Sequence, residues 1–386
     1  MTANPGTPAR HVKPFPARLA PMPPDGRVKV LQFGPSLSVK GGVTSVAQLI
    51  LDYLPPYVSL EHIPTMEEGS TIAKYSTFAR ALQILRRSLE SLEPTIVHIH
   101  MASRGSALRK LILAEMVARA GRPLILHAHG SEFDGFHRKL PAAVRRNVNR
   151  SLQRANVFLT LSSQWRDFYI NECELSPSQV VVLPNPVRLP ADVPDRSGRT
   201  QPVQFLHLGR LGDRKGGYDL VNAFAGLPEA LRNRARLVMA GDGDVEGMRK
   251  LAAPLGDRVV VYSWIERAER DRLLAQSDVF ALPSRAEGVP MALLEAMANG
   301  LPSITTPVGG IPDVFTDGQE GALVTPGNVE QIRAAMVQMI AQDDARLAAG
   351  RAARERARQF DVHVYARRLA DIYQRIAPVA EMKEIA

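Results

Sequence analysis

Short runs of apolar and β-branched residues alternate along this chain with longer segments whose apolar residues have the period of a helix. In the first half the runs are VKVLQFG (28–34), TIVHIH (95–100), PLILHAHG (123–130), NVFLTLS (156–162) and VVVLPNPV (180–187). In the second half they are PVQFLHLGR (202–210), ARLVMAGDG (235–243), RVVVYSWI (258–265), DVFALPS (278–284), PSITTPV (302–308) and GALVTPG (321–327). Near-continuous apolar strands between helices are typical of parallel sheets that helices cover on both faces. The pattern therefore predicts the α/β class, with two doubly wound domains in tandem.

The domain boundaries follow from two segments that lack any apolar period. RLPADVPDRSGRTQP (188–202) is polar and rich in proline, which is typical of a linker. The first 26 residues are also rich in proline and contain no apolar core of a signal peptide, so we expect a disordered leader. The predicted division is a leader at 1–26, an N-terminal domain at 27–190, a linker at 191–202, a C-terminal domain at 203–362 and a last helix within 363–386. Doubly wound sheets bind ligands at the carboxyl ends of their strands, so the predicted site is the cleft between the domains.

Composition narrows the class of protein. Apolar residues make up 45% of the chain and charged residues 23%, as in a soluble globular protein. No apolar run approaches the roughly 18 to 20 residues that a bilayer-spanning helix needs. Cys173 is the single cysteine, which excludes an intramolecular disulfide framework and a multi-cysteine metal site. We therefore expect a cytoplasmic protein.

The net charge of +9 lies entirely in residues 1–198, where 24 Lys and Arg stand against 15 Asp and Glu. Nucleic acid, an anionic membrane surface and an acidic substrate are all compatible with this excess. Nucleic acid is the least expected partner, because no aromatic residues are interleaved with the basic ones and no binding module is recognisable.

Part of the basic excess lies on the predicted helix PAAVRRNVNRSLQRA (141–155). Its two faces carry Val144, Val148, Leu152 and Ala155 on one side and Arg146, Arg150 and Arg154 on the other. One interpretation is an ordinary amphipathic helix with a solvated basic face. The other is a contact with an anionic membrane, to which the neighbouring basic residues would contribute, namely Arg138, Lys139 and Arg145.

Glycines and cations stand at positions where anions bind in such folds. Gly41 and Gly42 precede the first helix, so they form either a simple turn or a loop whose backbone N–H groups face an anion. In LGRLGDRKGG (208–217), Arg210 and Lys215 follow a strand and have little side-chain bulk between them. That arrangement suits a diphosphate, and the alternative is a solvated loop.

The sequence contains patterns that suggest a metal site, but none is complete. His127 and His129 lie two residues apart at the end of a predicted strand, so a metal site is conceivable. No cluster of Asp, Glu or Cys completes it, and His127 is read more simply as a buried structural histidine. GDGD (241–244) and IPDVFTDGQE (311–320) are read as turns. No metal is predicted.

PSRAEGVPMALLEAMANG (283–300) carries two glutamates, Glu287 and Glu295, eight positions apart. A helix that begins near Val289 or Pro290 would carry Glu295 and leave Glu287 in the loop before it. Eight helical residues rise about 12 Å, whereas two carboxylates that share one glycosidic bond lie roughly 5 to 9.5 Å apart. The spacing therefore argues against an acid/base pair.

Taken together, GRLGDRKGG and the later SRAEGVPMALLEAMANGLPSITTPVGGIPDV resemble the donor domain of the retaining glycosyltransferases of family four. This family has the GT-B fold, in which two Rossmann-like doubly wound domains face an interdomain cleft. The Glu-x7-Glu element, the helix of small residues after it and the PVGG strand end all match. KGGV, HAHG and VLPNPV in the first half agree more loosely, so the resemblance covers most of the chain beyond residue 26.

The resemblance implies roles for individual residues. Arg210 and Lys215 would hold the nucleotide diphosphate and stabilise the leaving group, with Gly209 beside them. His129 and Glu287 would lie at the transferred sugar, and Glu295 would bind the ribose hydroxyls. The remaining donor-binding residues would be Gly41 and Gly42 beside the diphosphate, Trp264 and Ile265 near the nucleobase, and the backbone of Gly288, Val289, Pro290, Met291, Ala292 and Leu293. The helix VYARRLADIYQRIA (364–377) would cross back to the N-terminal domain.

Two departures from the family pattern concern specificity. Val289 and Pro290 replace a frequent Phe-Gly, and proline removes one backbone donor near the sugar. YSWI (262–265) replaces a common turn that contains glycine, near the predicted nucleobase. Acceptor recognition is expected in N-terminal loops such as IPTMEEGSTIAKYSTF (63–78).

The function implied is a retaining, metal-independent transfer of a hexose from a nucleoside diphosphate sugar, with no cofactor. The acceptor would be a glycan or a lipid-linked molecule, in polysaccharide or glycolipid synthesis at the inner face of the membrane. Two cations in a dry cleft can stabilise the departing diphosphate directly. One alternative is a sugar-nucleotide epimerase of the same fold, and another is a non-catalytic sugar-binding protein.

Overall fold

The computed structural model describes residues 27–102, 105–198 and 202–377. The predicted leader, 1–26, and the end of the predicted last segment lie outside the described residues. Within them the chain forms two parallel six-stranded sheets, each covered by helices on both faces. The α/β class and the two doubly wound domains of the GT-B fold are thus confirmed.

The N-terminal sheet has the strand order β2-β1-β3-β4-β5-β6, and every neighbouring pair is parallel. Its strands are β1 (Val28–Gly34), β2 (Val58–Pro64), β3 (Thr95–Met101), β4 (Leu124–Ala128), β5 (Val157–Thr160) and β6 (Val180–Val182). The helices between them are α1 (Gly42–Tyr53), α2 (Thr71–Glu90), α3 (Gly105–Arg119), α4 (Phe133–Arg138), α5 (Ala142–Gln153) and α6 (Ser163–Asn171). The strand order reverses between β1 and β3, which is where open α/β sheets bind ligands.

The C-terminal sheet has the order β12-β11-β10-β7-β8-β9 and is also parallel throughout. Its strands are β7 (Val203–Leu208), β8 (Ala235–Ala240), β9 (Val259–Tyr262), β10 (Val279–Leu282), β11 (Ser303–Thr305) and β12 (Gly321–Leu323). Its helices are α7 (Gly217–Ala225), α8 (Glu229–Arg232), α9 (Val245–Ala252), α10 (Arg267–Gln276), α11 (Met291–Ala298), α12 (Ile311–Val314), α13 (Val329–Ala341) and α14 (Asp343–Ala357). Here the order reverses between β7 and β10, and the loops after these two strands lie in the cleft.

The last helix, α15 (Val362–Ile376), joins the two domains. It begins beside the interdomain crossing, where the Val187 N–H donates to the Phe360 carbonyl and the Val362 N–H donates to the Val187 carbonyl. Its apolar face then packs with α1 against the N-terminal sheet, where Leu369 and Tyr373 are fully buried. The opposite face of that sheet is covered by α2, α3, α5 and α6.

The domains also touch through α12 and α6. The backbone N–H and the hydroxyl of Ser163 donate to the two carboxylate oxygens of Asp313, at 2.5 and 2.7 Å. Asp313 thereby supplies the first turn of α6 with an acceptor from the other domain. The prediction that 311–320 is only a turn was therefore incomplete, because Asp313 lies on a short helix.

Two further details differ from the sequence predictions, and a third concerns the linker. Strand β2 was missed because it is an edge strand in which Glu61 and His62 interrupt the apolar run. The segment 63–78 was expected to be a loop, but from Thr71 it is the start of α2, whose first N–H groups are capped by Ser70. The predicted linker forms neither helix nor strand over 191–198, and Arg196 is buried there as a donor to carbonyls of the C-terminal domain.

Candidate active site

A buried ion pair lies at the point where the C-terminal sheet reverses its order. Lys215 comes from the single 3₁₀ turn after β7, and Glu287 comes from the loop after β10. The Lys215 Nζ is 2.5 Å from Glu287 Oε1, and the Ser284 hydroxyl donates to the same oxygen at 2.6 Å. Only 5% of the Glu287 side chain is exposed, so its charge needs these partners. The pair fixes the amino group of Lys215 at the wall of the cleft.

Arg210 stands beside this pair in a much more open position. Its side chain is 64% exposed, and its guanidinium is 3.7 Å from the Asp242 carboxylate. The turn after β7 and the turn after β8 approach each other closely because both contain glycine. A Cβ on Gly241 would lie 1.8 Å from the Gly209 carbonyl oxygen. Arg210 is therefore mostly exposed to solvent at the cleft, whereas Lys215 is held in place by a buried partner.

GDGD behaves as the sequence predicted, as a turn. The Asp244 carboxylate caps α9 by accepting from the Gly247 N–H at 3.0 Å. The Asp242 carbonyl accepts from the Leu211 N–H, which ties this turn to the one after β7.

The loop between Glu287 and α11 is held from both sides. The Gly310 N–H donates to the Gly288 carbonyl at 2.6 Å, and a Cβ on Gly309 would lie 1.8 Å from the Glu287 carbonyl oxygen. From the N-terminal domain, the Asn185 side-chain amide donates to the Val289 carbonyl at 2.7 Å. The PVGG and VLPNPV motifs thus have a shared physical role, which is to fix the backbone of this loop.

The helix α11 begins at Met291 and has Pro290 as its N-cap residue. Its first N–H groups have no acceptor within the helix, and Met291 and Ala292 line the cleft, so an anion can be bound there. Leu293 was predicted to contact the donor through its backbone, and its side chain is fully buried in the core of the C-terminal domain. Its helical position turns it toward the sheet, so only its backbone N–H is available to a ligand.

Glu295 is paired with a residue that the sequence reasoning missed. Its carboxylate is 3.1 Å from the Arg270 guanidinium, which α10 supplies. Burial raises the pKa of Glu295, and Arg270 opposes that effect. Arg270 lies in RAERDRLLAQ, where nothing distinguishes it from the surface charges around it. Glu287 and Glu295 therefore have different partners, as their spacing indicated.

The loop after β1 forms the opposite wall of the cleft. Gly41 has a φ of 147°, which favours glycine, and a Cβ on Gly42 would lie 3.5 Å from the Met291 side chain across the cleft. The Lys40 amino group lies 5.0 Å from the centre of the Trp264 ring. Lys40 was not predicted as a site residue.

These residues surround one continuous groove. Its inner cavity, of about 450 Å³, is lined by the predicted residues Gly41, Gly42, His129, Gly209, Arg210, Lys215, Trp264, Ile265, Glu287, Gly288, Val289, Pro290, Met291, Ala292 and Glu295. An outer cavity of about 770 Å³ shares Lys40, Gly41, Trp264, Arg270 and Glu295 with the inner one. The outer part continues past the Glu295 end and is large enough for a nucleoside. Leu293 is the one predicted donor-binding residue that lines neither cavity among the described residues.

Histidines of two neighbouring strands form a buried cluster behind His129. They are His98 and His100 on β3, His127 on β4 and His129 directly after β4, and we call them the histidine ladder. Burial lowers the pKa of His98 and of His129 to about 3, and it holds those of His100 and His127 well below the usual value. Within the described residues, His98, His100 and His127 are the one group of histidine, cysteine and acidic side chains close enough to hold a metal ion. His98 and His100 were missed, although HIH repeats the spacing of HAH.

The basic helix α5 differs in part from its prediction. Arg146 and Arg150 are exposed and Arg145 is half-buried, but Arg138 is bound to Glu172 at 2.5 Å and Arg154 lies 3.6 Å from Glu115. Val148, Leu152 and Ala155 are buried as expected, whereas Val144 is 41% exposed because it lies in the first turn, at the rim of the domain. No helix in the described part of the chain has the length and apolarity needed to cross a membrane.

Two family models match the chain. Glycosyltransferase Family 4 matches residues 52–189, and Glycosyl transferases group 1 matches residues 193–356. A sulfoquinovosyl transferase of Arabidopsis thaliana is 32% identical over 43% of this chain, and the match spans 32% of the plant protein. A UDP-Gal:alpha-D-GlcNAc-diphosphoundecaprenol alpha-1,3-galactosyltransferase of Escherichia coli is 26% identical over 75% of this chain and 77% of its own length.

The fold is that of solved GT-B enzymes. The structure of Anabaena Alr3699/HepE in complex with UDP and glucose superposes with a TM-score of 0.70 at 18% identity, and the match covers 90% of this chain and 99% of that one. At that level of identity the likeness concerns the fold.

The buried histidines predict a stability that depends on pH. A buried histidine that stays neutral in the folded state takes up a proton only when the chain unfolds. The free energy of unfolding is therefore highest above about pH 7, and it falls as the pH drops from 6.5 toward 3 because the unfolded state is protonated. At about pH 5.5 each fully buried histidine should lower the free energy of unfolding by about 1.4 kcal/mol. His98, His100 and His127 together should lower it by about 4 kcal/mol. The melting temperature should therefore be clearly lower at pH 5.5 than at pH 7.5.

A double variant provides the control for this prediction. His98→Gln/His127→Gln removes two of the three groups, so its melting temperature should fall less over the same pH interval. Equal falls in wild type and variant would assign the acid sensitivity to other groups.

Proposed function

This chain belongs to the family-four glycosyltransferases, and we propose that it transfers a hexose from a nucleoside diphosphate sugar to a glycan or lipid-linked acceptor, with retention of configuration. The observation that carries the proposal is the convergence on one groove of a buried Lys215–Glu287 pair, the exposed cation Arg210 and the first N–H groups of α11. Each of these groups stabilises negative charge or binds hydroxyls, as a diphosphate sugar requires.

Along the groove, the residues follow the same order as the parts of a nucleotide sugar that they would bind. Glu287 and His129 lie in the inner cavity, where the sugar would bind, and Lys215 and Arg210 flank the diphosphate position. Glu295 lines both the inner and the outer cavity, and its carboxylate can accept hydrogen bonds from the ribose hydroxyls. Trp264 and Ile265 offer apolar surface for the base. Arg270 keeps the Glu295 carboxylate oriented.

The reaction we propose needs no nucleophilic carboxylate. The bond between the anomeric carbon and the phosphate oxygen breaks, and the acceptor oxygen forms its bond on the same face of the sugar. The acceptor's proton passes to the departing phosphate oxygen. Lys215 and Arg210 stabilise the charge that develops on the diphosphate, which is a role that a divalent metal plays elsewhere. We therefore propose a metal-independent enzyme without a cofactor.

A screen of donors tests this function. UDP-hexoses come first, because the E. coli relative is named for a UDP-galactose donor, followed by GDP- and ADP-hexoses, all in the presence of EDTA. The right donor should raise the melting temperature at concentrations well below millimolar and be turned over only when an acceptor is added. The relatives named above are transferases, which favours transfer over epimerisation. A product sugar that is epimerised without any acceptor would overturn the transferase proposal.

Removing either cation should slow the reaction. Lys215→Ala and Arg210→Ala should each lower kcat by about two to three decades, because each removes charge stabilisation from the transition state. Lys215→Ala should also lower the melting temperature, since it leaves Glu287 buried without its counter-charge. Arg210→Ala should not, because that side chain is mostly exposed.

Lys250→Ala is the matched control, because Lys250 is an exposed lysine on α9 of the same domain and does not line the groove. It should leave kcat and the melting temperature unchanged. Full turnover in both Lys215→Ala and Arg210→Ala would remove these residues from the site.

We also propose that the N-terminal domain contacts an anionic membrane at the cytoplasmic face. Three helices on one face of its sheet, α2, α3 and α5, begin at the carboxyl ends of strands and expose apolar side chains in their first two turns. These side chains are Ile72 (80% exposed), Tyr75 (70%), Leu108, Ile112 and Val144, and we call them the apolar rim. Basic side chains accompany them, namely Lys74, Arg109, Arg145 and Arg146. Apolar insertion combined with basic residues is how proteins bind the surface of anionic bilayers.

This proposal moves the membrane contact from the length of α5 to the ends of three helices. Arg138 and Arg154 have acidic partners within the protein, so their charges are compensated there. Lys139 and Arg150 are exposed and add to the basic charge of this domain. The rim lies at the same edge of the sheet as the cleft, so a lipid-linked acceptor could reach the site from the bilayer.

Vesicle binding tests the rim. The triple variant Ile72→Ser/Tyr75→Ser/Ile112→Ser should bind phosphatidylglycerol-containing vesicles at least about tenfold more weakly than the wild type, because the loss of three inserted side chains removes several kcal/mol of transfer free energy. Leu92→Ser is the matched control, since Leu92 is 98% exposed but lies beyond the opposite end of α2. Equal binding by the triple variant and the control would dismiss the rim.

A further inference from the structure

The histidine ladder consists of two hydrogen-bonded pairs. His98 Nε2 lies 3.3 Å from His127 Nδ1, and His100 Nδ1 lies 2.8 Å from His129 Nε2. The first pair continues to α15, because His98 Nδ1 lies 2.7 Å from the Tyr373 hydroxyl. The second pair ends at the cleft, which His129 lines. In each pair one ring nitrogen donates and the other accepts, so the position of the shared proton determines the tautomer of both rings.

Two buried atoms determine where the protons are. His100 Nε2 and His127 Nε2 are buried without a hydrogen-bond partner in the described part of the chain. A buried N–H without an acceptor costs more than a bare nitrogen lone pair without a donor. In the pair at the cleft, the favourable arrangement therefore leaves His100 Nε2 bare and places the proton on His100 Nδ1.

The same reasoning extends to the ring that lines the cleft. His100 Nδ1–H donates to His129 Nε2. His129 then carries its own proton on Nδ1, the ring nitrogen that has no protein partner in the described residues and that is not among their buried, unpartnered atoms.

We propose that His100 is a positioning residue that fixes His129 in the Nδ1–H tautomer, so that His129 presents a hydrogen-bond donor to a hydroxyl of the transferred sugar. This rests on the proposed function of the groove. His129 then acts as a neutral donor and not as a general base, because its one basic nitrogen is occupied by the His100 proton. The low pKa values of both rings are consistent with neutral histidines throughout the physiological range.

Ring geometry favours hydrogen bonding over metal binding in the ladder. The rings of His98 and His100 stack with their centres 4.6 Å apart and their planes at 22°. Those of His127 and His129 lie 4.0 Å apart at 36°. The lone pairs of imidazole lie in the ring plane, so those of the stacked His98 and His100 rings run side by side. One nitrogen of every ring is already engaged in a hydrogen bond within its pair.

The test reads the tautomer directly, without a donor or an acceptor. In ¹⁵N-histidine-labelled protein, two-bond ¹H–¹⁵N spectra separate protonated from bare ring nitrogens, and His129→Gln identifies the signals of His129. Wild type should show a protonated Nδ1 and a bare Nε2 for His129. A bare Nδ1 would overturn the proposal even if the enzyme proved to be active.

Two variants of His100 separate positioning from packing. His100→Asn keeps an N–H donor near the Nδ1 position and should retain the His129 tautomer and most of kcat. His100→Leu fills the space without a donor, so His129 should populate both tautomers and kcat should fall about tenfold, the equivalent of one lost hydrogen bond of about 1.4 kcal/mol. Equal kcat values for the Asn and Leu variants would overturn the proposal.

His137→Gln is the matched control, because His137 is a buried histidine of the same domain that pairs with Asn149 at 2.7 Å and lies outside the groove. It should leave both the His129 spectrum and kcat unchanged. The two proposals also fail separately. A protein with the expected spectrum that bound no nucleotide sugar would refute the proposed function and leave the assignment of the tautomer intact.

Discussion

The buried pair of Lys215 and Glu287 is the interaction on which the site depends. It joins the turn after β7 to the loop after β10, the two strands between which the order of the C-terminal sheet reverses. A carboxylate that is 5% exposed cannot remain charged without a partner, and the pair therefore fixes both loops at once. Gly309 and Gly310 also help to fix the loop that carries Glu287, because without a Cβ the loop after β11 can contact the Glu287 and Gly288 backbone.

Several specific hydrogen bonds join the two domains. Asp313 binds the first turn of α6, Asn185 holds the Val289 carbonyl, and Tyr373 on α15 reaches His98 inside the N-terminal sheet. The C-terminal helix is thus connected by hydrogen bonds to the cluster of histidines behind the sugar position. A change in the relative orientation of the domains would alter these contacts together with the shape of the groove.

The sequence was a good guide where the pattern is local. Apolar runs predicted eleven strands, and Gly, Arg, Lys and Glu at strand ends predicted the residues that the structure brings together in the cleft. Strand β2 failed because an edge strand is only half buried and carries polar residues. Arg270 and Lys40 were missed because a charged residue on a helix or loop looks the same whether it faces solvent or a buried carboxylate.

The sequence alone therefore determined the fold class, the family resemblance and the chemical character of the groove, because strands, turns and motifs are set by neighbours along the chain. Tertiary structure decided which charges are paired. Glu287 is neutralised by Lys215 from 72 residues earlier, and Glu295 by Arg270 on another helix. It also decided that His98 and His100 join His127 and His129, since only parallel pairing of β3 with β4 places the four rings side by side. Interactions between residues distant in sequence depend on strand order and register, which no local pattern specifies.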